Sequence, residues 1–481
     1  MRNNLTLILI VFFSLLANLS EAQHPSHSVA ANTTIELKFE SSLRLTDPWG
    51  EMELDVVFKD PVGREFRVPA FWAGGQAWHV RYSSARIGIH EYHTVCSRAE
   101  DLGLHGKQGS IEVVPYRGDN PLHLQGAIGV TESRRHFQHA DGTRFLWLGD
   151  TWWMGLCQRL QWPEEFQLLV QDRRDKGFNV IQIVAGLYPD MKPFDTLGSN
   201  EAGQPWQPEY ERIRPEYFDA ADERLAYLVD SGMTPCIVGA WGFHLKWLGI
   251  EKMKQHWRYL IARYGAWPVV WTAAGEGTMP YYLSDSKDED EQFLKSGWTE
   301  LTQFIRKTDP FDRLLTIHPK NSARQTVSDP QVLDFDMLQT GHGGRHSIRQ
   351  TLRTIRASRA AWPTMPFLNG EVCYEGILDS CYDDLQRFLT WSCLLSGAAG
   401  HTYGANGIWQ VNRTEAPFGK SPHGTNWGNR SWNEAMHLPG SQHAGIAAKL
   451  LRKYPFEEFE PHPEWAAYLH EAPSTFRWQD W

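Results

Sequence analysis

Hydrophobic residues along the chain follow two successive patterns, and the first is typical of β-strands. Between residues 32 and 117, apolar and polar positions alternate in short runs, most clearly in Glu53–Phe58 and Gly88–Val95. Turn residues such as Asp60-Pro61 and Gly74-Gly75 separate these runs, at the spacing of about 8–12 residues that is common in β-sandwiches. The pattern predicts a small, Ig-like, all-β sandwich over residues 32–117.

The second pattern, over residues 119–455, alternates apolar segments with stretches of helical periodicity. The apolar segments, which predict strands, are Phe145–Leu148, Asn179–Val184, Pro235–Val238, Val269–Ala273, Leu314–Ile317, Phe335–Leu338, Pro366–Leu368 and Gly400–Tyr403. Near-continuous apolar strands separated by helices indicate a parallel sheet covered by helices. Eight of them predict a (β/α)8 TIM barrel. A doubly wound sheet is the alternative, but no glycine-rich phosphate loop follows the first strand.

The two ends of the chain carry different signals. Residues 1–22 resemble a signal peptide, with a charged start, an apolar run over Leu5–Ala17 and small residues at Ser20 and Ala22. They predict a secreted or periplasmic protein without stable membrane insertion, because the run is shorter than the roughly 20 residues of a membrane span. An uncleaved N-terminal anchor is the alternative. Residues 456–481 form a predicted linker or the start of a truncated C-terminal domain, unless they pack back onto the barrel.

Composition narrows the range of partners. The chain has 57 acidic and 47 basic residues, for a net charge of −10, and no lysine- or arginine-rich block. A nucleic-acid partner is therefore not expected. The 22 tryptophans are the unusual feature, and since exposed indoles need something to pack against, some of them are expected to line a binding site.

Active sites of such barrels lie where the strands end, so the residues that follow each strand are the candidates. Glu276 follows the fourth strand and Glu371 the seventh, which places them across the barrel mouth from one another. Glycoside hydrolysis needs such a pair, one carboxylic acid to protonate the leaving oxygen and one carboxylate to act at the anomeric carbon. Closely spaced pairs in comparable barrels favour a retaining mechanism. The alternative is that each glutamate forms a structural pair with an arginine.

Other residues at the strand ends are candidate substrate contacts. They are Asp150, Trp152, Trp153, Trp241, His318, His342, Tyr374, His401 and Tyr403. The aromatic side chains can stack on sugar faces, and the polar ones can bind hydroxyl groups. Alternatives for these residues are a helix cap at Asp150, core packing of some indoles, and buried, hydrogen-bonded histidines.

Metal and nucleophilic-serine chemistry are not expected. The pairs His136/His139 and His342/His346 have metal-like spacings, but the first falls in a predicted hairpin and the second in a glycine-rich loop. No Gly-x-Ser-x-Gly motif is present. The sequence therefore predicts no metal and no cofactor.

Several segments resemble the apiosidase-like glycoside hydrolases, the family-140-type barrels. The matching segments are 145–152, 177–182, 316–319, 336–342, 369–376 and 396–404, with 71–75 and 78–81 resembling the β-sandwich ahead of such barrels. The resemblance implies that Glu371 is the nucleophile, that Glu276 is the acid/base and that the substrate is of the pectin type. The family carries Asp at the fourth strand, so Glu276 is a departure from its pattern.

The sequence thus predicts an exported glycoside hydrolase that acts on a plant-type or algal-type polysaccharide or its side chains. Two alternatives belong to other classes. One is a non-catalytic glycan-binding protein on a barrel scaffold, whose binding would survive loss of Glu276 or Glu371. The other is a lyase or transglycosylase on the same barrel, which product analysis would reveal.

Overall fold

The computed structural model describes residues 27–462. The predicted signal peptide, residues 1–22, and most of the predicted C-terminal segment, residues 463–481, lie outside this range. In the part of the chain that is described, no helix is both long enough and apolar enough to cross a membrane.

The N-terminal region consists of two sheets that precede the barrel. Its strands are β1 (His27–Ala30), β2 (Ile35–Glu40), β3 (Leu54–Lys59), β4 (Glu65–Pro69), β5 (Phe71–Trp72), β6 (Ala77–Tyr82), β7 (Gly88–Cys96) and β8 (Gln108–Val114). They form a five-stranded sheet in the order β1-β8-β7-β3-β4 and a three-stranded sheet in the order β2-β6-β5. All pairings are antiparallel except β1 with β8. The region begins earlier than the predicted boundary at residue 32, because β1 pairs with β8.

Side chains from the two sheets meet in a shared core. Phe58 of β3 stacks on Tyr82 of β6 with ring centroids 3.9 Å apart, and both rings are buried. On the barrel side, Arg81 donates a hydrogen bond of 2.8 Å to the backbone oxygen of Arg263, and Arg258 lies 2.6 Å from Asp55. The sandwich therefore packs directly against the barrel.

Three short strands pack against the amino-terminal end of the barrel strands. They are β9 (Ile128–Val130), β10 (Phe137–His139) and β11 (Arg144–Phe145). Phe137 packs against Phe335 and Trp147, with ring centroids 5.3 and 6.1 Å apart. Phe456 is buried beside His136 at the same end. The described residues after 455 thus pack back onto the barrel, which was one of the alternatives for this segment.

The eight segments predicted as barrel strands are all strands of one parallel sheet. They are β12 (Trp147–Trp152), β13 (Val180–Val184), β14 (Thr234–Val238), β15 (Val270–Thr272), β16 (Leu315–Thr316), β17 (Asp336–Gln339), β18 (Phe367–Glu371) and β19 (Gly400–Tyr403). Their order is β16-β15-β14-β13-β12-β19-β18-β17. Gln339 N bonds to the backbone oxygen of Asn321 at 3.1 Å, so the remaining gap between β16 and β17 is bridged. The (β/α)8 barrel prediction is confirmed.

Helices cover the outside of this sheet, and one further short helix lies in the N-terminal sandwich. They are α1 (Pro48–Glu51) in the sandwich, then α2 (Pro121–Leu124), α3 (Glu164–Lys176), α4 (Pro215–Asp230), α5 (His244–Tyr264), α6 (Lys287–Thr308), α7 (Ala323–Thr326), α8 (Ser347–Ala360), α9 (Asp383–Leu395), α10 (Trp432–Ala435) and α11 (Pro439–Leu451). Each strand alternates inward and outward side chains. In β19, Thr402 faces inward, where its hydroxyl accepts a hydrogen bond of 3.0 Å from Trp147, while Tyr403 faces the helices.

Candidate active site

A cavity of about 260 Å³ lies at the carboxyl ends of the barrel strands. Its walls come from the loops after seven of the eight strands. They are formed by Trp153, Pro189, Asp190, Trp241, Glu276, Met279, Tyr282, Gln339, His342, Glu371, Tyr374, Ile377, Trp409, His423 and Trp427. Three carboxyl groups, a few other polar groups and mostly aromatic walls make this the candidate active site.

Glu276 and Glu371 approach one another closely inside this cavity. The side-chain nitrogen of Gln339 donates to Oε1 of Glu276 at 2.9 Å and to Oε1 of Glu371 at 3.1 Å. Because one nitrogen contacts both oxygens, the two oxygens cannot be more than about 6 Å apart. This upper limit lies below the separation of about 6.5–9.5 Å found for inverting glycosidases.

Local backbone features bring these three side chains together. Gly275 lies against the indole of Trp241, and a Cβ at this position would be 2.1 Å from the ring, so only glycine permits this packing next to Glu276. Glu276 itself has φ of 44°, a strained conformation for a residue with a side chain. On the facing side, the register of β17 shifts between Leu338 and Gln339, which makes Gln339 the cross-strand neighbour of Glu371.

Glu371 is buried and held by two histidines. His342 Nε2 lies 2.7 Å from its Oε1, and His318 Nε2 lies 3.2 Å from its Oε2. Burial works to raise the pKa of Glu371, but hydrogen bonding and charge from His318 and His342 outweigh it and keep the pKa well below its usual range. For His342, burial is likewise outweighed, and the thiol of Cys373 together with Glu371 raises its pKa to about 10. Glu371 is therefore an ionised carboxylate at neutral pH, in contact with Nε2 of His342.

Glu276 has the opposite electrostatic environment. Burial raises its pKa, and the negative charge of Glu371 raises it further, while the hydrogen bond from Gln339 acts the other way. Its Oε2 accepts a hydrogen bond of 3.3 Å from the Trp241 indole. The two carboxyl groups thus differ in protonation tendency, because the pKa of Glu276 is raised and that of Glu371 is lowered.

Four of the predicted substrate contacts line the cavity: Trp153, Trp241, His342 and Tyr374. The hydroxyl of Tyr374 accepts a hydrogen bond of 2.9 Å from Trp153, which fixes both rings. His318 lies directly behind this layer, with its ring centroid 5.3 Å from that of Trp153. It contacts Glu371, so its position fits an orienting role better than direct hydroxyl recognition.

The other four predicted contacts, Asp150, Trp152, His401 and Tyr403, are buried and lie outside the cavity, so the structure does not bring them together with the carboxyl pair. Strand residues alternate in direction, and these four point toward the helix layer. Asp150 pairs with Arg173 at 2.5 Å. Trp152 packs on a phenylalanine of α3, and the Tyr403 hydroxyl donates to Glu375 at 2.5 Å. Burial lowers the pKa of His401 to about 3, so its imidazole is neutral.

We expect Asp150→Asn to lower stability without changing substrate affinity. Asp150 and Arg173 are both fully buried, and removing one partner leaves the guanidinium with less compensation. The expected loss is about 3 kcal/mol in the free energy of unfolding, at the low end for a broken buried pair because Met436 O also accepts from Arg173. Urea denaturation measures it. A raised KM together with an unchanged free energy of unfolding would instead indicate that Asp150 contacts the substrate.

Sequence reasoning missed several residues that line the cavity. Gln339 ends the sixth strand, so its position at a strand end was a signal, but its pairing with Glu371 depends on the register shift at Gly370 of β18. Asp190 follows the second strand, whose end contributed no candidate. Tyr282, His423 and Trp427 lie well beyond their strands in long loops, and no local pattern in the sequence points to them.

A larger cavity, of about 480 Å³, lies at the opposite end of the barrel. It is lined by apolar residues such as Leu146, Leu394 and Leu451, together with residues 456–462. It lies away from the carboxyl ends of the strands, where barrel enzymes place their chemistry. In residues 27–462, no group of three or more His, Cys, Asp or Glu side chains has the arrangement of a metal site.

Comparison with known proteins agrees with the fold. A candidate glycoside hydrolase from Bacteroides vulgatus has a TM-score of 0.64 and 19% identity, over 89% of this chain and 79% of that one. A family 5 glycoside hydrolase from the same species has a TM-score of 0.58 and 22% identity, over 74% of this chain and 79% of that one. At these identities the likeness shows a shared barrel fold. No curated protein matches the sequence.

Two family models match the chain. Residues 28–97 match a domain of unknown function, DUF5060, which corresponds to the N-terminal sheets. Residues 131–458 match the apiosidase-like catalytic domain, which corresponds to the barrel and its cavity. Because this second match covers more than half of the chain, the protein belongs to the apiosidase-like family and is a glycosidase.

Proposed function

We propose that this protein is an exported, retaining glycoside hydrolase that cleaves sugars from a polysaccharide or its side chains, with pectin-type glycans as the first class to test. One observation carries the mechanism: Gln339 bridges two carboxyl groups of opposite protonation tendency. Export is inferred from residues 1–22 and the extracellular location of such polysaccharides. The pectin-type substrate is inferred from the family, whose Asp at the fourth strand is replaced here by Glu276.

In the first step, the Glu371 carboxylate attacks the anomeric carbon while the glycosidic C–O bond breaks. Glu276 donates its proton to the departing oxygen, which leaves as an alcohol. The products of this step are a glycosyl ester on Glu371 and an ionised Glu276. The short separation of the two carboxyl oxygens leaves no room for a water molecule between nucleophile and sugar, as an inverting enzyme would need.

In the second step, the now ionised Glu276 takes a proton from water, whose oxygen attacks the same carbon. The ester bond breaks and Glu371 leaves as a carboxylate. During both steps, His318 and His342 stabilise the anionic form of Glu371. Gln339 donates hydrogen bonds to both carboxyl groups, so it can stabilise the negative charge on whichever of the two carries it.

The walls of the cavity fit a carbohydrate. Sugars present apolar C–H faces and polar edges, which suit aromatic platforms with a few hydrogen-bonding groups. Trp153, Trp241 and Tyr374 surround the carboxyl pair, and Trp409 and Trp427 extend the aromatic surface outward.

Product stereochemistry tests the mechanism directly. Proton NMR during hydrolysis of a pectin and hemicellulose panel is expected to show first the anomer with the configuration of the substrate, because two displacements at one carbon restore it. Mutarotation then produces the other anomer more slowly. Immediate appearance of the opposite anomer would establish inversion and overturn the proposed role of Glu371 as nucleophile.

A further inference from the structure

The loops around the cavity are joined both by backbone hydrogen bonds and by side-chain contacts of Asp190. At the floor, backbone hydrogen bonds connect neighbouring loops, for example Met154 N to the Trp409 oxygen at 3.0 Å and Trp241 N to the Leu187 oxygen at 2.7 Å. Above them, Asp190 connects loops that are not neighbours. These connections form a rim over the cavity.

Asp190 is the centre of this rim. Its Oδ1 accepts a hydrogen bond of 2.5 Å from the Ser421 hydroxyl, and its Oδ2 accepts one of 2.9 Å from the Trp427 indole. Its backbone N–H donates to the Tyr282 hydroxyl at 3.1 Å. Asp190 thereby joins the loop after β13 to the loops after β15 and β19. We name Asp190, Tyr282, Ser421 and Trp427 the rim clamp.

The position of Asp190 is unusual for a surface loop. The side chain is only 5% exposed although it lines a cavity, and its φ of 61° lies in the left-handed region. A buried carboxyl in a strained backbone is costly, and such features persist where they are functional. His423 adds to the same wall, with its ring 5.0 Å from that of Tyr282 and 5.8 Å from that of Trp427.

The rim clamp lies across one side of the barrel mouth. The strand order β13-β12-β19 places the loop after β12 between the loops after β13 and β19, which the Asp190 side chain joins. The clamp therefore spans that loop, on the side of the barrel opposite β16 and β17. Backbone N–H of Leu378 also approaches the Trp427 oxygen, at 3.5 Å, which continues the rim toward the loop after β18.

A cleft that binds the interior of a glycan chain must be open on two opposite sides, whereas a pocket that binds a chain end needs one opening. The cavity volume of about 260 Å³ is also below the 300–1,000 Å³ typical of sites that enclose drug-sized ligands. Building on the proposed function, we infer that the cavity takes the terminal non-reducing sugar of a chain or side chain. Asp190 is the positioning residue that confines cleavage to this unit.

Sizing of the products from pectin and hemicellulose tests the inference in the full-length protein. We expect single sugars to be the main product from the earliest time points. Oligosaccharides as the main early product would overturn the terminal-sugar inference and leave the glycosidase function standing. Absence of any hydrolysis across the panel would overturn the proposed function and the inference with it.

Variants of the rim clamp test the role of Asp190. Asp190→Ala is expected to raise the ratio of oligosaccharide to single-sugar products at least about tenfold, because the opened rim admits chain interiors. Trp427→Phe removes the indole N–H while keeping an aromatic ring, and it is expected to shift the ratio in the same direction, which keeps the test valid if Asp190→Ala does not fold. A merely structural clamp would change stability without changing product size, so unchanged ratios in both folded variants would overturn the assignment.

Asp309→Asn is the matched control for these variants. Asp309 also accepts a hydrogen bond from an indole, that of Trp271 at 2.9 Å, but it lies just before β16, away from the cavity. Its product ratio is expected to equal that of the wild type. A shift of similar size in this control would show that any lost carboxyl–indole contact alters product size, and would overturn the specific role of Asp190.

Discussion

Replacement of Glu371 by Gln is expected to lower kcat at least about 1000-fold, because the amide cannot form the glycosyl ester. Gln preserves the size of the side chain and its contacts with Gln339, so the cavity should keep its shape. KM for a polysaccharide that the wild type cleaves is expected to change far less than kcat. Initial-rate kinetics, with circular dichroism to confirm folding, measure both quantities.

Glu375→Gln provides a control for that substitution. Glu375 lies four residues later and is also buried, but its carboxylate accepts from the Tyr403 hydroxyl and the backbone of Gly440, outside the cavity. We expect this variant to lose stability and to retain kcat per folded molecule. If Glu371→Gln kept more than about a tenth of wild-type kcat, Glu371 would not be the nucleophile, and a mechanism without a glycosyl ester would be needed.

The barrel and the position of the carboxyl pair at its mouth could be predicted from sequence because both follow from local pattern. Apolar strands alternate with helices along the chain, and the fold rule that strand ends carry the chemistry then selects Glu276 and Glu371. Counting the strands was enough to find the positions of the two glutamates. The structure brings the two side chains together, and their catalytic roles stay a prediction until the variants are measured.

The direction of individual side chains was harder to predict. Trp152 and Trp153 are adjacent in sequence, yet one packs against α3 and the other lines the cavity. The alternation of side chains along a strand requires the two indoles to point in opposite directions. It does not say which one faces inward unless the register of the barrel is known. The rim clamp depends on contacts between distant loops, such as Asp190 with Trp427, for which a single sequence carries no local signal.

Glu276→Gln is expected to affect substrates according to their leaving group. In natural glycosides the leaving group is a poorly stabilised alkoxide that needs a proton from Glu276. Hydrolysis of these substrates should therefore fall about 100- to 10,000-fold. In aryl glycosides with an acidic phenol, the phenolate can leave without protonation. The first step of their hydrolysis by Glu276→Gln should therefore be nearly as fast as in the wild type. A burst of phenol followed by slow turnover is expected, because Glu276 is also the base that activates water in the second step.

The pH profile provides an independent test of the same residue. Hydrolysis requires Glu371 ionised and Glu276 protonated. Since the pKa of Glu371 is held low and that of Glu276 is raised, the wild type should be active between these two values and lose activity on the alkaline side as Glu276 ionises. In Glu276→Gln, the alkaline decline should disappear for aryl glycosides. A decline that persists unchanged would mean that another group, such as His342, supplies the proton, and the acid/base role would pass to it.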